Sequence, residues 1–222
     1  MVMIMKKWVV ILLVIFIIIV SFGITSYMKL IPLIKDYGEM EINRFNQLIV
    51  SHCYFTRQSQ YEDLVIIERN NQGEIQLIDF DMVKVNSLAS QVVMDIENTY
   101  LSIENGMYKK TENSYYQERI EEVSQSGIIS KISMASLLHL PLLNPIMPTI
   151  SVRYKHLSQV GSSIVKSIEN YGVNHVMVEL AIEITINMTM VYPFFEQYHS
   201  HKIKIPVLLE IFQGQVPLVY TQ

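Results

Sequence analysis

The stretch VMVELAIEITINMTMVY, Val176 to Tyr192, alternates almost without fault. Val176, Val178, Leu180, Ile182, Ile184, Ile186, Met188, Met190 and Tyr192 share one parity and are all apolar. Met177, Glu179, Ala181, Glu183, Thr185, Asn187, Thr189 and Val191 hold the other and are mostly polar or small. A period of two puts successive side chains on opposite faces, so this reads as a strand with one dry and one wet side. Ordinary strands run about 5–6 residues, and this one is predicted to be roughly three times that. So long a dry face needs an equally long cover: a core, a membrane or a ligand.

The neighbouring segments suggest a sheet. Residues 150–171 fit two patterns. Leu157, Val160, Ile164, Ile168 and Tyr171 suit a helix, whereas Val152, Tyr154, Val160, Ile164 and Ile168 suit a strand. Several β-branched residues and the turn-like ENYGVN tilt the reading towards a strand. After Pro193, FFEQYHSHK is predicted to turn the chain. Ile203, Ile205, Val207, Leu209 and Ile211 then alternate again, with Pro206 confining that strand to an edge or a bulge. The C-terminal half is therefore expected to be an antiparallel meander.

The N-terminal half is predicted to be mainly helical. Ile42, Phe45, Ile49 and Cys53 form the stripe of a helix over residues 31–56, with Pro32 in its first turn and Gly38 weakening it. DLVIIE and EIQLIDF flank RNNQG and predict a hairpin. Val83–Ile103 is a second amphipathic helix, with stripe Val85, Leu88, Val92, Ile96, Thr99 and Ile103 and a stop at Gly106. Residues 107–127 read as a polar, partly helical surface excursion. Residues 128–149 are apolar with three prolines near the end, and read as a buried loop with a short helix or strand.

The first 28 residues form a separate unit. Lys6 and Lys7 precede an apolar run, Trp8–Ile24, long enough to span hydrocarbon as a helix. A cleaved signal peptide is the competing reading, with Ser21 and Gly23 as the small residues of a cleavage site. The run exceeds the usual signal core and lacks Ala-x-Ala, so an uncleaved anchor is preferred. The lysines before the run favour a cytosolic N-terminus, with residues 29–222 as one domain outside the cytoplasm. The expected architecture is thus α+β: one transmembrane helix, then helices packed on an antiparallel sheet of long, twisted strands.

Composition narrows the function. Half of the residues are hydrophobic, 17% are charged and the net charge is −4, so no basic surplus points to nucleic acid. The single cysteine, Cys53, excludes an internal disulfide and a cysteine zinc set, and reads as a structural thiol. His199 and His201, with Glu196 near, have the spacing of a metal pair but are expected in a solvated turn. Glu179 and Glu183 share the wet face, where charge keeps a long strand soluble. Asn187-Met188-Thr189 matches a glycosylation pattern inside a predicted strand. No serine elbow or phosphate loop occurs. These readings call for no catalytic residues, no metal and no cofactor.

One resemblance cuts across the whole pattern. Tyr171-Gly172-Val173-Asn174, the strand with Glu179 ending in Pro193-Phe194, Ile205-Pro206 and the terminal Gln213-Gly214-Gln215-Val216-Pro217 with Tyr220 resemble the sporulation protein YunB family of endospore-forming, Bacillus-like bacteria. Residues 107–149 match that pattern poorly. The resemblance implies a protein needed for spore formation, made in the mother cell and carried on a membrane. It offers no catalytic residues to transfer.

Two functions follow as expectations. One is a membrane-tethered interaction or assembly factor facing an envelope or sporulation protein. The other is a carrier of lipid or another apolar ligand, in a groove lined by Val176, Val178, Leu180, Ile182, Ile184, Ile186, Met188 and Met190. A weaker third is an enzyme acting on peptidoglycan or a small molecule through Glu179 and Glu183.

Overall fold

The long alternation does form a strand, and two others of similar length flank it. In the computed structural model, β4 (Thr149–Asn170), β5 (His175–Val191) and β6 (Glu196–Gln213) make an antiparallel meander. The short β3 (Ile128–Ser133) adds at the start of β4, giving the order β3-β4-β5-β6. A separate hairpin pairs β1 (Val65–Arg69) with β2 (Ile75–Phe80). Helices α1 (Val2–Thr56), α2 (Met82–Glu104), α3 (Tyr115–Ser126) and the single-turn α4 (Met134–Leu137) complete the fold. The backbone is described for residues 2–56, 64–71, 75–111, 114–170 and 175–213.

The dry face of β5 is the centre of the core. Val178, Leu180, Ile182, Ile184, Ile186, Met188 and Met190 are buried, while Val176 at the strand's start is half-buried. Cross-strand pairing carries this face onto both neighbours: Tyr154 pairs with Met190, and Ile205 with Ile182. Helix α2 covers the β4 side, where the Tyr100 ring lies 5.5 Å from that of Tyr154. Helix α1 covers the β6 side and meets α2 through Phe45 against Tyr100. The burial of α2 follows its predicted stripe, except that Ala89 joins it and Tyr100 goes fully inward where Thr99 is only part-buried.

The wet face of β5 holds the predicted carboxylates. Glu179 pairs with Lys204 at 2.7 Å and Glu183 with Lys202 at 3.0 Å. Opposite charges across neighbouring strands give modest stabilisation and hold the register. At Pro206 the register shifts: Leu180 pairs with Leu208 and Ala181 with Pro206, leaving Val207 as the extra residue. Proline, which lacks a ladder donor, thus sits both at a bulge and on an edge strand, as its chemistry requires.

Four expectations need correction. First, the helix read over residues 31–56 does not begin at Pro32: α1 is continuous from Val2 to Thr56 with Pro32 inside it. Second, Gly38 does more than weaken that helix. It is buried, and a Cβ built there would stand 2.1 Å from Tyr192 Oη, so a missing side chain lets α1 close on the β5–β6 corner. Third, Glu196–Lys202 is not a turn. Pairing with β5 continues to Val191↔Glu196, because the chain reverses within Tyr192–Phe195, closed by Tyr192 N–H donating to Phe195 O at 2.9 Å. Fourth, the proline-rich end of residues 128–149 is not buried: Leu142 is 92% exposed and Ile146 81%.

Among the described residues, no helix is long and apolar enough to cross a membrane. The run Trp8–Ile24 lies within α1, but its side chains, Phe16 and Ser21 excepted, are outside the described residues. So are the Tyr171–Asn174 turn and the Gly214–Tyr220 ending.

Candidate functional site

Three places bring chemistry together. The first is the seam where α1 lies along β6. Going down α1, Tyr54 Oη donates to Pro206 O at 3.2 Å, Asn43 Oδ1 shares a 2.8 Å hydrogen bond with His199 Nε2, and Glu39 Oε1 accepts from Gln197 Nε2 at 2.6 Å. Lys35 Nζ then sits 5.2 Å from the centre of the Phe195 ring. Amphipathic helix stripes are normally apolar, yet α1 presents Glu39 and Asn43 to residues of the sheet's core-side face.

His199 and His201 belong to this seam. They stack with ring centroids 6.2 Å apart. Desolvation lowers both imidazole pKa values; Glu39 partly offsets this at His199, and the His199 charge adds to it at His201. The predicted companion Glu196 instead pairs with Lys155 at 2.6 Å. Among the described residues no group of three or more His, Cys, Asp or Glu is placed to hold a metal ion. Tyr192 Oη, buried against Gly38, is pushed up to about 12 by burial first and by Glu39 second.

The second place is the predicted apolar lining. Val178 to Met190 of that parity are 0–2% exposed and belong to the same cluster as Ile42, Phe45 and Ile49 of α1 and Val92, Ile96 and Tyr100 of α2. Cys53 is buried there too, its Sγ 3.8 Å from Thr99 Oγ1.

The third is a cleft of about 550 Å³ between α1 and the β3–α4 corner. Leu33, Asp36, Tyr37 and Met40 line it from α1; Lys131, Ile132 and Ser133 from β3; Ser136, Leu137 and His139 from the corner. His139 has φ 57°, a left-handed conformation uncommon outside glycine. A separate cleft of about 610 Å³ lies at the other end of α1, lined by His52, Phe55, Thr56, Thr111, Ser114, Tyr116 and Gln117. Neither cleft includes a residue of the predicted lining. The corner was legible in sequence only as an apolar, proline-containing stretch. Its contact with α1 depends on the fold of β3.

A family model described as sporulation protein YunB matches residues 129–219, which begin in β3 and include all three long strands. This chain resembles sporulation protein YunB. The Bacillus subtilis (strain 168) protein of that name is 23% identical over 196 residues, covering 85% of this chain and 71% of its own length. The likeness thus extends N-terminally beyond the sheet. No solved structure matches the chain.

Proposed function

We propose that this chain is a membrane-anchored sporulation protein, a non-enzymatic interaction or assembly factor whose domain stands outside the mother-cell cytoplasm. The observation that carries the reading is the continuity of α1. One helix holds the apolar run Trp8–Ile24 and the buried residues Ile34, Ile42, Phe45 and Ile49. An anchor built this way has no flexible linker to the domain, so it would fix the domain's height and orientation at a bilayer. The resemblance to YunB supports the sporulation role.

The long sheet suits contact with a partner protein. Beyond Tyr154, β4 has no neighbour on its outer side among the described strands, and β6 is an edge throughout. A lipid groove under β5 has less support, because side chains of α1 and α2 pack into the space it would need.

The test is made in sporulating cells. The full chain is expected in the alkali-resistant membrane fraction, with its domain cleaved by protease added outside the cytoplasmic face. Crosslinking is expected to capture an envelope or sporulation protein. A soluble chain, or a domain protected with the cytoplasm, would overturn the reading.

A further inference from the structure

Residues 132–152 contain no Asp, Glu, Lys or Arg, and the charges resume with Lys131 and Arg153 on either side. At the centre of this run the chain leaves α4 and loops through a 3-10 turn, Pro141–Leu143, before entering β4. Its large apolar side chains point outward: Leu140, Leu142, Leu143 and Ile146 are all exposed. Single exposed apolar residues need no explanation, but a contiguous group of them does.

The loop's backbone is largely closed on itself. Leu140 N–H donates to Ala135 O at 2.8 Å, Leu143 N–H to Leu140 O at 3.0 Å, Asn144 N–H to Pro141 O at 3.2 Å, Ile146 N–H to Leu143 O at 3.0 Å and Met147 N–H to Leu143 O at 2.9 Å. Pro141, Pro145 and Pro148 have no N–H to satisfy. The Asn144 side chain, exposed in the loop, accepts from Ser133 Oγ at 2.5 Å. A water-facing loop has no need to pair its amides internally, whereas one that enters a low-dielectric layer does.

The loop also sits at the right end of the molecule. Descending α1, the partners run Pro206, His199, Gln197 and Phe195 along β6, towards the β5–β6 corner. In that same direction β4 runs out past its pairing with Val191, and its first residues pair only with β3. The loop caps this extension, next to Leu33 and Asp36 of α1. From Ile24 to Leu33 is nine residues of helix, about 14 Å at 1.5 Å each. To reach the headgroup–acyl boundary the loop spans that interval, of which the headgroup layer is about 5–8 Å. Lys29, exposed on the same stretch of α1, lies at headgroup height.

We propose that the 138–148 loop is a membrane-seating wedge, with Leu140, Leu142, Leu143 and Ile146 entering the headgroup–acyl boundary of the bilayer that holds Trp8–Ile24. The proposal rests on the anchor reading above. With the helix it makes a second point of attachment, which stops the domain from pivoting and holds the long strands upright.

The test uses the full chain reconstituted in phospholipid vesicles, with Trp8→Phe to remove the native tryptophan. A single tryptophan is then introduced by Leu142→Trp, by Ile146→Trp, or, at the opposite end of the sheet, by Ile168→Trp. Vesicles containing brominated acyl chains are expected to remove most of the emission of the first two variants and to leave the third unchanged. Alkaline extraction reads the anchor separately. A chain that resists extraction but whose loop tryptophans are unquenched would overturn the wedge and leave the anchor standing. A chain that is extracted, yet quenched at 142 and 146, would overturn the anchor alone. Blue-shifted loop emission without quenching would mean protein cover, by a second copy or another protein, and overturns the wedge. Quenching at all three positions would mean that the domain lies flat and overturns upright seating.

Discussion

The two ends of the sheet share one sequence pattern and have different fates. Near the β5–β6 corner, the dry face is closed by α1: Tyr192 stacks on Phe195 at 4.5 Å and lies against Gly38, and His199 binds Asn43. Towards the β4–β5 end the same parity continues, but Ile168 is 58% exposed. Leu209 and Ile211 are exposed on the opposite face. The difference lies in the cover at β4: Val178, the partner of Ile168, and Phe212 on β6 stay buried at that end, so cover reaches β5 and β6 but not Ile168. Alternation makes a face dry only where another element reaches it.

The largest test of this contrast removes matched side chains from the two ends. Ile184→Ala empties a fully buried site and is expected to cost about 2–5 kcal/mol. Ile168→Ala, on the same parity but exposed, is expected to stay within about 0.5 kcal/mol. Urea unfolding of the full chain in detergent, followed by circular dichroism, reads both; equal losses would break the comparison.

Next comes the close approach of α1. Gly38→Ala forces a methyl group into the Tyr192 ring and is expected to cost about 1–3 kcal/mol. Adding Tyr192→Leu should return part of that loss, because the two residues meet directly and their effects are not additive. A double variant no better than Gly38→Ala would place the strain elsewhere.

A smaller effect is expected from pH. The folded pKa values of His199 and His201 lie below the ordinary 6.5, chiefly through burial. The unfolded chain therefore binds more protons in that window. The contribution is fully present above 6.5 and is lost as pH falls from there through the folded values. The melting temperature should drop between neutral pH and about pH 5, and His199→Gln with His201→Gln should flatten that slope. An unchanged slope would show that the seam does not feel the imidazole charges.

The smallest expected effect is on the wet face. Lys204→Gln, which removes the partner of Glu179, should cost no more than about 1 kcal/mol, and less at high salt. A larger loss would mean that the exposed face contributes to stability on a par with the core side.

Much of the fold was legible in the residues. The hairpin, the α2 stripe, the long strands and the edge position of Pro206 follow from periods, turn chemistry and a missing donor, all of which are local. The candidate sites were less so. The histidines looked like turn residues because Ser200 and Lys202 dilute the alternation; pairing with β5 carries the strand through them. The loop at 138–148 looked buried because apolar residues usually are. Its outward projection depends on β3 docking beside α1, which composition does not encode.

For the opening segment the division is the same. The sequence alone determined that Val178, Leu180, Ile182, Ile184, Ile186, Met188 and Met190 share a face, because a period of two leaves no other arrangement in an extended chain. Only the tertiary structure decided what lies over that face. Cover depends on the absent side chain at Gly38, on Tyr100 turning inward and on the packing of α1 and α2 against the sheet, and these contacts join residues far apart in the chain.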